Sequence, residues 1–469
     1  MLGHLTAQFA IVRVPSHRGF RNLLLARLVS ALGTWTAFFA VRIAIYNQTG
    51  SAWWVSILLF CELVPGVILG IAVGPLIDRW PRKQMMVFSD LGGAATFGVL
   101  PFVHSPAGIC ALSAVAGFSS AFFRPACYSA IPNLVEEEAL VPANSLIQAS
   151  ENFATLFGPV LAGLGVALLG SGTVYALNSV SFLISAFLIV RIGMRFQANV
   201  PARIGRTHWR EVRAGLSLVR SDTDLSSIFL IWSWATLAYT GINVAEIVLT
   251  TEAYGAGNPG FGVFVAFSAG GILIGNVIAV WFIRRMTVYG GYRASFLITA
   301  AGVAICAVSP NLAIGCVGAV IFGIGNGVGL VCNVTLIQQV VPDNWRGQIF
   351  AVLGSLVQTF TLIGTLAAGP ITDAVGPRLM WGISATLLVV GFFNVVLISA
   401  LRRARDARAT EPPLVLQAVE PGGESPANPL DRMASLLDEV EAARAAEAKS
   451  GVRLTPRRIP TRPRKAPPP

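Results

Sequence analysis

Apolar positions along this chain fall in blocks rather than in alternation. Stretches of roughly 20 apolar residues recur between short polar joints, and as a helix each can cross about 30 Å of hydrocarbon at 1.5 Å per residue. Twelve such spans are expected, over residues 22 to 46, 53 to 77, 85 to 103, 107 to 130, 145 to 169, 173 to 193, 226 to 250, 260 to 283, 293 to 309, 312 to 338, 348 to 371 and 378 to 400. The strands of a transmembrane barrel are about 10 residues long and alternate in polarity, so a barrel does not fit. The first block is too long for a cleaved signal, and no small-residue cleavage site precedes the second. The expected fold is an all-α integral membrane protein.

Composition agrees: of 469 residues, 54% are hydrophobic and 12% charged, against about 25% charged in soluble domains. A net charge of +11 would suggest nucleic acid in a soluble protein. Here its placement speaks for topology, and no nucleic-acid partner is expected. Seventeen of the 34 Lys and Arg residues fall in segments 1 to 21, 78 to 84, 191 to 225, 284 to 293 and 339 to 347. The joints between, around Asn47, Ser105, Ser171, Gly257 and Asn311, carry none, and Arg378 is the one basic residue of the opposite set. The positive-inside rule then puts both termini in the cytoplasm of a multi-pass plasma (inner) membrane protein. The joint over 131 to 144 is acidic, with Glu136, Glu137 and Glu138, but acidic residues weigh little in that rule and parity keeps it inside. The six cysteines lie inside spans without paired metal spacing, as small apolar packing residues do. No metal and no cofactor are expected.

The organisation expected is an N-terminal six-helix bundle over 1 to 193, a cytoplasmic linker over 194 to 225, a C-terminal six-helix bundle over 226 to 402, and a Pro-rich charged tail over 403 to 469. In the linker, Trp209, Val212, Leu216 and Val219 recur at helical spacing beneath a basic face, the pattern of a helix lying on the membrane surface. In the tail, Asn428 as N-cap and Pro429 open a helix with Leu430, Met433, Leu437 and Val440 on one face. The two bundles look like repeats. TLFGPVLAG at 155 to 163 and TLIGTLAAG at 361 to 369 share five of nine positions at an offset of 206, and Asp78 and Arg79 fall opposite Arg284 and Arg285 at the same offset. An even number of spans per half makes the repeats parallel.

One polar joint stands out: GPLIDRWPRKQMM, residues 74 to 86. Its Arg and Lys can set topology, but Asp78 needs a cation or a helix N-terminus as partner. Gly74, Leu76, Asp78, Arg79, Arg82 and Lys83 spell G-x-L-x-D-R-x-x-R-K. With twelve spans in two halves, the chain resembles the major facilitator superfamily over about residues 18 to 402. RNLLLARLVSALGTW, FFRPACYSAIPNLV followed by ANSL, and GIGNGVGLVCNVTLIQQVVPDNWRGQIF bring it closer to the exporter branch that includes macrolide efflux pumps and the enterobactin exporter. The resemblance implies two parallel six-helix bundles. It implies that Asp78 latches the outward-facing state against the cytoplasmic end of the eleventh helix, with Asp90 in the same network. Gly158, Pro159 and Gly163 resemble the fifth-helix glycine-proline motif of family antiporters; small residues also let helices approach closely and proline permits a kink. The chain departs from the pattern at Pro81, at Thr34, where many members have a first-helix aspartate, and at Gln348, where many have arginine.

Ionisable residues at membrane depth are candidates for coupling or substrate binding. Glu62 lies about 13 Å from the outer end of its span and Arg42 near the outer end of the first, so an Arg42–Glu62 pair is plausible, as is snorkelling of Arg42 to the interface. Glu151 is placed to pair with Arg124 or to couple, and Glu246, about one turn from the outer end, is either a coupling group or wet. Asn243, Asn276, Asn326, Asn333, Gln338 and Gln358 can line a cavity or join helices, and Trp35, Phe38 and Phe39 can form an aromatic wall or interfacial anchors. Soluble-enzyme signals are missing: the four histidines are scattered outside the spans, and GIGNGVG at 323 to 329 lies inside a span with no strand before it, as a helix-packing face rather than a dinucleotide fingerprint. The chain is expected not to be an enzyme. The function expected is a monomeric secondary active transporter that exports a small amphipathic molecule by proton antiport with alternating access. The alternatives are an uptake or lipid-flipping permease of the same fold, or a transporter-derived sensor or scaffold acting through its tail.

Overall fold

The computed structural model describes residues 18–72, 80–193, 223–341 and 343–410. Among them there is no strand, and twelve long helices stand where the apolar blocks do. These are α1 (Arg18–Thr49), α2 (Ala52–Ala72), α3 (Arg82–Val99), α4 (Pro106–Asn133), α5 (Leu140–Leu169) and α6 (Ser171–Val190), then α7 (Thr223–Val248), α8 (Gly257–Met286), α9 (Val288–Val308), α10 (Leu312–Val340), α11 (Asp343–Val375) and α12 (Pro377–Thr410). α4 is broken into Pro106–Ser120 and Phe123–Ala130, and α7 runs on as a π-helical turn, Leu249–Ala253. Among the described residues, nine of the helices are long and apolar enough to cross a membrane. The linker helix, the tail helix and loop residues 73–79 lie outside the described residues.

The joints are short because their residues close the helix ends locally. Ser105 and Asn311 cap α4 and α10 by accepting from the Gly108 and Ile314 amides at 3.2 and 3.1 Å, each satisfying a donor that the first turn leaves free. Gly170 and Gly376 sit in the left-handed region at φ +80 and +83, where a Cβ would be strained. Each links two antiparallel helices, α5 to α6 and α11 to α12, and they stand 206 positions apart, the offset read from the sequence repeat.

Packing repeats as well. In the first half α1 packs on α5 and α6, and α2 on α4; in the second α7 packs on α11, and α8 on α10. GIGNGVG serves the last contact, with Gly323 and Gly327 against the α8 backbone at Ser268 and Ile272. The halves meet through α2 against α11 and α5 against α8, which are equivalent positions in two parallel repeats. Large apolar side chains such as Phe102, Leu168, Val277 and Phe393 are exposed, an arrangement that lipid tails satisfy and water does not.

The buried apolar residues are not distributed evenly. One continuous cluster joins both halves at the end that holds the low-charge joints, through Phe39, Val55, Ala162, Val248 and Phe261, and within the second half it runs on through Tyr292 to Val288 at the basic end. At the basic end there are two separate clusters, one in each half: Phe20, Met85, Ala130 and Ile192 belong to the first, and Phe229, Ile337 and Leu353 to the second. The chain divides after Arg402; the second unit, Arg403–Pro469, is described over 403–410, which is helical.

Candidate functional site: a sealed end and a charged cavity

The seal at the low-charge end is built from backbone proximity and a carboxylate. On α5, a Cβ at Gly163 would run into the carbonyl of Asn258 on α8, and a Cβ at Gly262 into the carbonyl of Pro159. Gly158 lies against Trp35 of α1. The glycine-proline motif is thus the surface on which α5 meets α1 and α8, and α5 stays helical through Pro159. Across the other inter-half contact, Asp373 near the end of α11 covers the N-terminus of α2. Its carboxylate accepts from the Ser51 hydroxyl at 2.6 Å and from the Ala52 and Trp53 amides at 2.7 and 3.1 Å. That is a helix cap supplied by the other half, favoured by the helix dipole. A fourth hydrogen bond across the halves runs from the Tyr46 hydroxyl to Glu252 at 2.5 Å, and Phe39 meets Phe261 edge-on at 5.8 Å between ring centres.

A cavity of about 340 Å³ lies among α1 to α6, walled entirely by the first half. α1 presents Arg27, Ser30, Thr34 and Phe38 to it, at the three- and four-residue steps that keep side chains on one helix face. Trp35, Phe97, Phe123 and Phe182 add aromatic surface, and Glu62, Arg124 and Glu151 add charge. None of the six amides considered from the sequence lines this cavity. Asn243 donates to Tyr239 O one turn back in its own helix at 2.8 Å, whereas Asn333 joins α10 to α9 by donating to the Tyr292 hydroxyl at 3.4 Å.

The charged residues arrange themselves differently from the pairs expected. Glu151 pairs with Arg27, not Arg124: Nε and Nη2 of Arg27 both donate to Glu151 Oε1, at 3.2 and 2.6 Å. The reason is packing, since α1 and α5 run along each other, whereas Arg124 lies beyond the break in α4 with its guanidinium 5.8 Å from the Tyr128 ring. Arg42 does not snorkel. It is buried, folded over Phe38 and Phe39 at 4.0 and 5.0 Å from the ring centres, within electrostatic reach of Glu62 and Glu246. Among the described residues it makes no ion pair closer than 4.0 Å with either, and Glu62 Oε2 is buried without a hydrogen-bond partner. Glu246 is buried rather than wet, because α7 continues to Ala253 and so places it about two turns below the helix end. These three residues come from α1, α2 and α7, so the group draws on both halves.

Of the basic-joint residues, Gly74, Asp78 and Arg79 lie outside the described residues. Arg82 and Lys83 anchor the start of α3 within the first half. Arg82 donates to the Ser129 carbonyl at the end of α4, and Lys83 Nζ donates to Val190 O and Ile192 O, both at 2.7 Å, at the end of α6, the carbonyl end that attracts cations. Asp90 lies midway along α3, fully buried, beside Arg27 and Ser185.

Sequence reasoning did not single out Arg27, Tyr46, Glu252 or Asp373. A signal for Asp373 was present: at the 206 offset its counterpart is Ala167, so the second repeat carries a charge where the first has a methyl group.

Two parallel helical halves whose buried cores merge at one end, with a charged and aromatic cavity at membrane depth, define a two-bundle membrane transporter. The chain belongs to the Major Facilitator Superfamily, whose family model matches residues 23–286 and again 228–437. It is a multi-pass membrane transporter and not an enzyme. It is 21% identical to macrolide efflux protein A of Streptococcus pyogenes, covering 82% of this chain and 96% of that one. It is 27% identical to the multidrug efflux pump Tap of Mycolicibacterium fortuitum, covering 80% and 94%. Among solved structures it is similar to a bacterial homologue of the iron transporter ferroportin. The inward-facing state superposes with a TM-score of 0.64 at 17% identity over 81% of this chain and 98% of that one; the outward-facing state gives 0.55 at 18% over 81% and 99%.

Proposed function

We propose that this protein exports a small amphipathic molecule across the plasma membrane in exchange for protons, by alternating access, as a monomer with both termini in the cytoplasm. The observation that carries this reading is the asymmetry of the core: one cluster across both halves at the low-charge end and two separate clusters at the basic end. With the basic joints inside, the sealed end is external and the divided end opens to the cytoplasm, where an exporter takes up its substrate. The better superposition on an inward-facing structure supports that orientation of the state, and relatives named as efflux pumps support the direction of transport.

Under this reading the cavity holds the substrate, with Trp35, Phe38 and Phe97 against its apolar part and the charged residues against its polar part. Arg42, Glu62 and Glu246 form a coupling centre: two buried carboxyls and one guanidinium are neutral together only when one carboxyl holds a proton, so protonation changes what binds the halves to each other. Gly74, Asp78, Arg79, Arg82 and Lys83 form the inner latch of the opposite state, with Asp78 as its moving contact. Gly158, Pro159 and Gly163 form the α5 surface on which the outer seal closes.

The test is the accumulation of a panel of fluorescent lipophilic dyes in cells expressing the wild type, Asp78→Asn or Glu62→Gln, with and without a proton uncoupler. Dye lowered by the wild type alone, and restored by the uncoupler, is the expected result. Accumulation indistinguishable from empty cells for every dye would sink amphipathic export.

A further inference from the structure

Two arginines line the first-half cavity, and they are held differently. Arg27 is paired with Glu151 at 2.6 Å. Arg124, past the break in α4 on the side of the basic joints, is exposed and among the described residues makes no hydrogen bond and no ion pair; its neighbour is the Tyr128 ring at 5.8 Å. Basic residues at other helix ends are committed to backbone carbonyls: Arg82 to Ser129, Lys83 to Val190 and Ile192, Arg378 to Ala307 and Ala253. A guanidinium carries five donors in a fixed fork, so Arg124 presents an unused fork at the mouth of the cavity.

A polar track leads to it. On α5, Leu156 lies 3.8 Å from where a Cβ at Gly270 of α8 would stand, so this face of α5 is turned to the other half. At successive four-residue steps toward the basic end the same face carries Asn152, Gln148 and Asn144, all exposed. The Tyr128 hydroxyl donates to Gln148 Oε1, and Gln148 Nε2 donates to Asn152 Oδ1, both at 3.2 Å. Those bonds tie the track to α4 beside Arg124. Lipid tails satisfy no exposed amide, so the track faces water. Inward from the mouth the character reverses. The Glu62 carbonyl lies where a Cβ at Gly117 of α4 would collide with it, and Arg124 is seven residues farther along, roughly 10 Å at 1.5 Å per residue. Glu62 therefore puts carboxyl oxygens, acceptors, at the far end of a cavity walled by Trp35, Phe97 and Phe123.

We infer that the cavity takes an amphipathic organic anion with a single acid group. The oxyanion takes the Arg124 fork as a bidentate pair, and the apolar body runs inward over the aromatic wall. Arg27 and Glu151 cancel each other, so Arg124 supplies the net charge of the mouth, and the oxygens of Glu62 disfavour a second anionic group at the inner end. This inference rests on the reading that the cavity holds the substrate, and it adds the charge of the substrate and its orientation.

The test is equilibrium dialysis of the full chain in lipid nanodiscs, against empty nanodiscs, with three probes that share one apolar body: naphthylacetate, naphthylacetamide and naphthylethylammonium. The wild type is expected to bind the acid at least about tenfold more tightly than the amide, as a charge-assisted pair dictates, and the ammonium no better than the amide. Arg124→Gln is expected to bring the acid down to the level of the amide while amide binding, the control for an intact cavity, stays unchanged. Arg124→Lys keeps the charge and loses the fork, and is expected to fall between. An acid bound no more tightly than the amide by the wild type overturns the inference, and so does a preference for the acid that survives Arg124→Gln. Binding led by the ammonium overturns the substrate's charge and leaves the cavity as the site. Binding of none of the three overturns the cavity reading and the inference with it, while uncoupler-sensitive dye export would leave transport itself standing.

Discussion

The two ends of this transporter are made of the same helices and held in opposite ways. At the low-charge end the halves share one core, and the contacts across it are backbone against glycine, a carboxylate on a helix N-terminus and a tyrosine on a glutamate. At the basic end two further cores each stay within a single half, and Arg82 and Lys83 anchor helix ends within the first half. The difference teaches how such a molecule can open. A seal of short polar contacts and close backbones has two discrete conditions, made or broken, and a tenfold shift between two states takes only about 1.4 kcal/mol.

The contrast predicts unequal effects of similar substitutions. Gly163→Leu places a side chain into the Asn258 carbonyl and Pro259. Overpacking of about 1–3 kcal/mol falls wholly on the sealed state, so dye export should drop nearly to background while the protein stays folded. Asp373→Ala comes next. Removing a helix cap costs about 0.5–2 kcal/mol, so a cysteine placed at Ser56 should react roughly 2- to 30-fold faster with an impermeant thiol reagent from outside. Tyr46→Phe loses one bond at a partly buried site, worth about 0.5–1.5 kcal/mol, and should raise the same reactivity by no more than about tenfold. Gly354→Ala in α11 should change neither export nor reactivity, because nothing lies within 4 Å of a Cβ there. An effect of Gly354→Ala as large as that of Gly163→Leu would erase the distinction between the two ends.

The fold was legible because the bilayer writes it as length. Blocks of apolar residues mark spans, and the 206-residue offset that relates TLFGPVLAG to TLIGTLAAG reappears as matching left-handed glycines at 170 and 376. Charges at depth were legible as candidates but not as pairs. Arg27–Glu151 is set by α1 packing on α5, 124 positions away, and depth along a span does not say which face a residue takes. The depth of Glu246 was read one turn too shallow because the π-helical turn after Val248 carries no signature in apolar periodicity. The seal residues were hidden for another reason: Asp373 and Ser51 look like ordinary joint residues until the halves come together.

The central claim is that the low-charge end is closed while the basic end is open. It can be tested most directly by spin-label distances across the same two helices: Leu168 of α5 with Ala256 just before α8 at one end, and Ser145 of α5 with Arg284 of α8 at the other. For the substrate-free protein in lipid nanodiscs the account predicts a short, narrow distribution for the first pair and a long one for the second, with the two exchanging as the transporter is driven through its cycle. A short distance at Ser145–Arg284 together with a broad, long one at Leu168–Ala256 would contradict it.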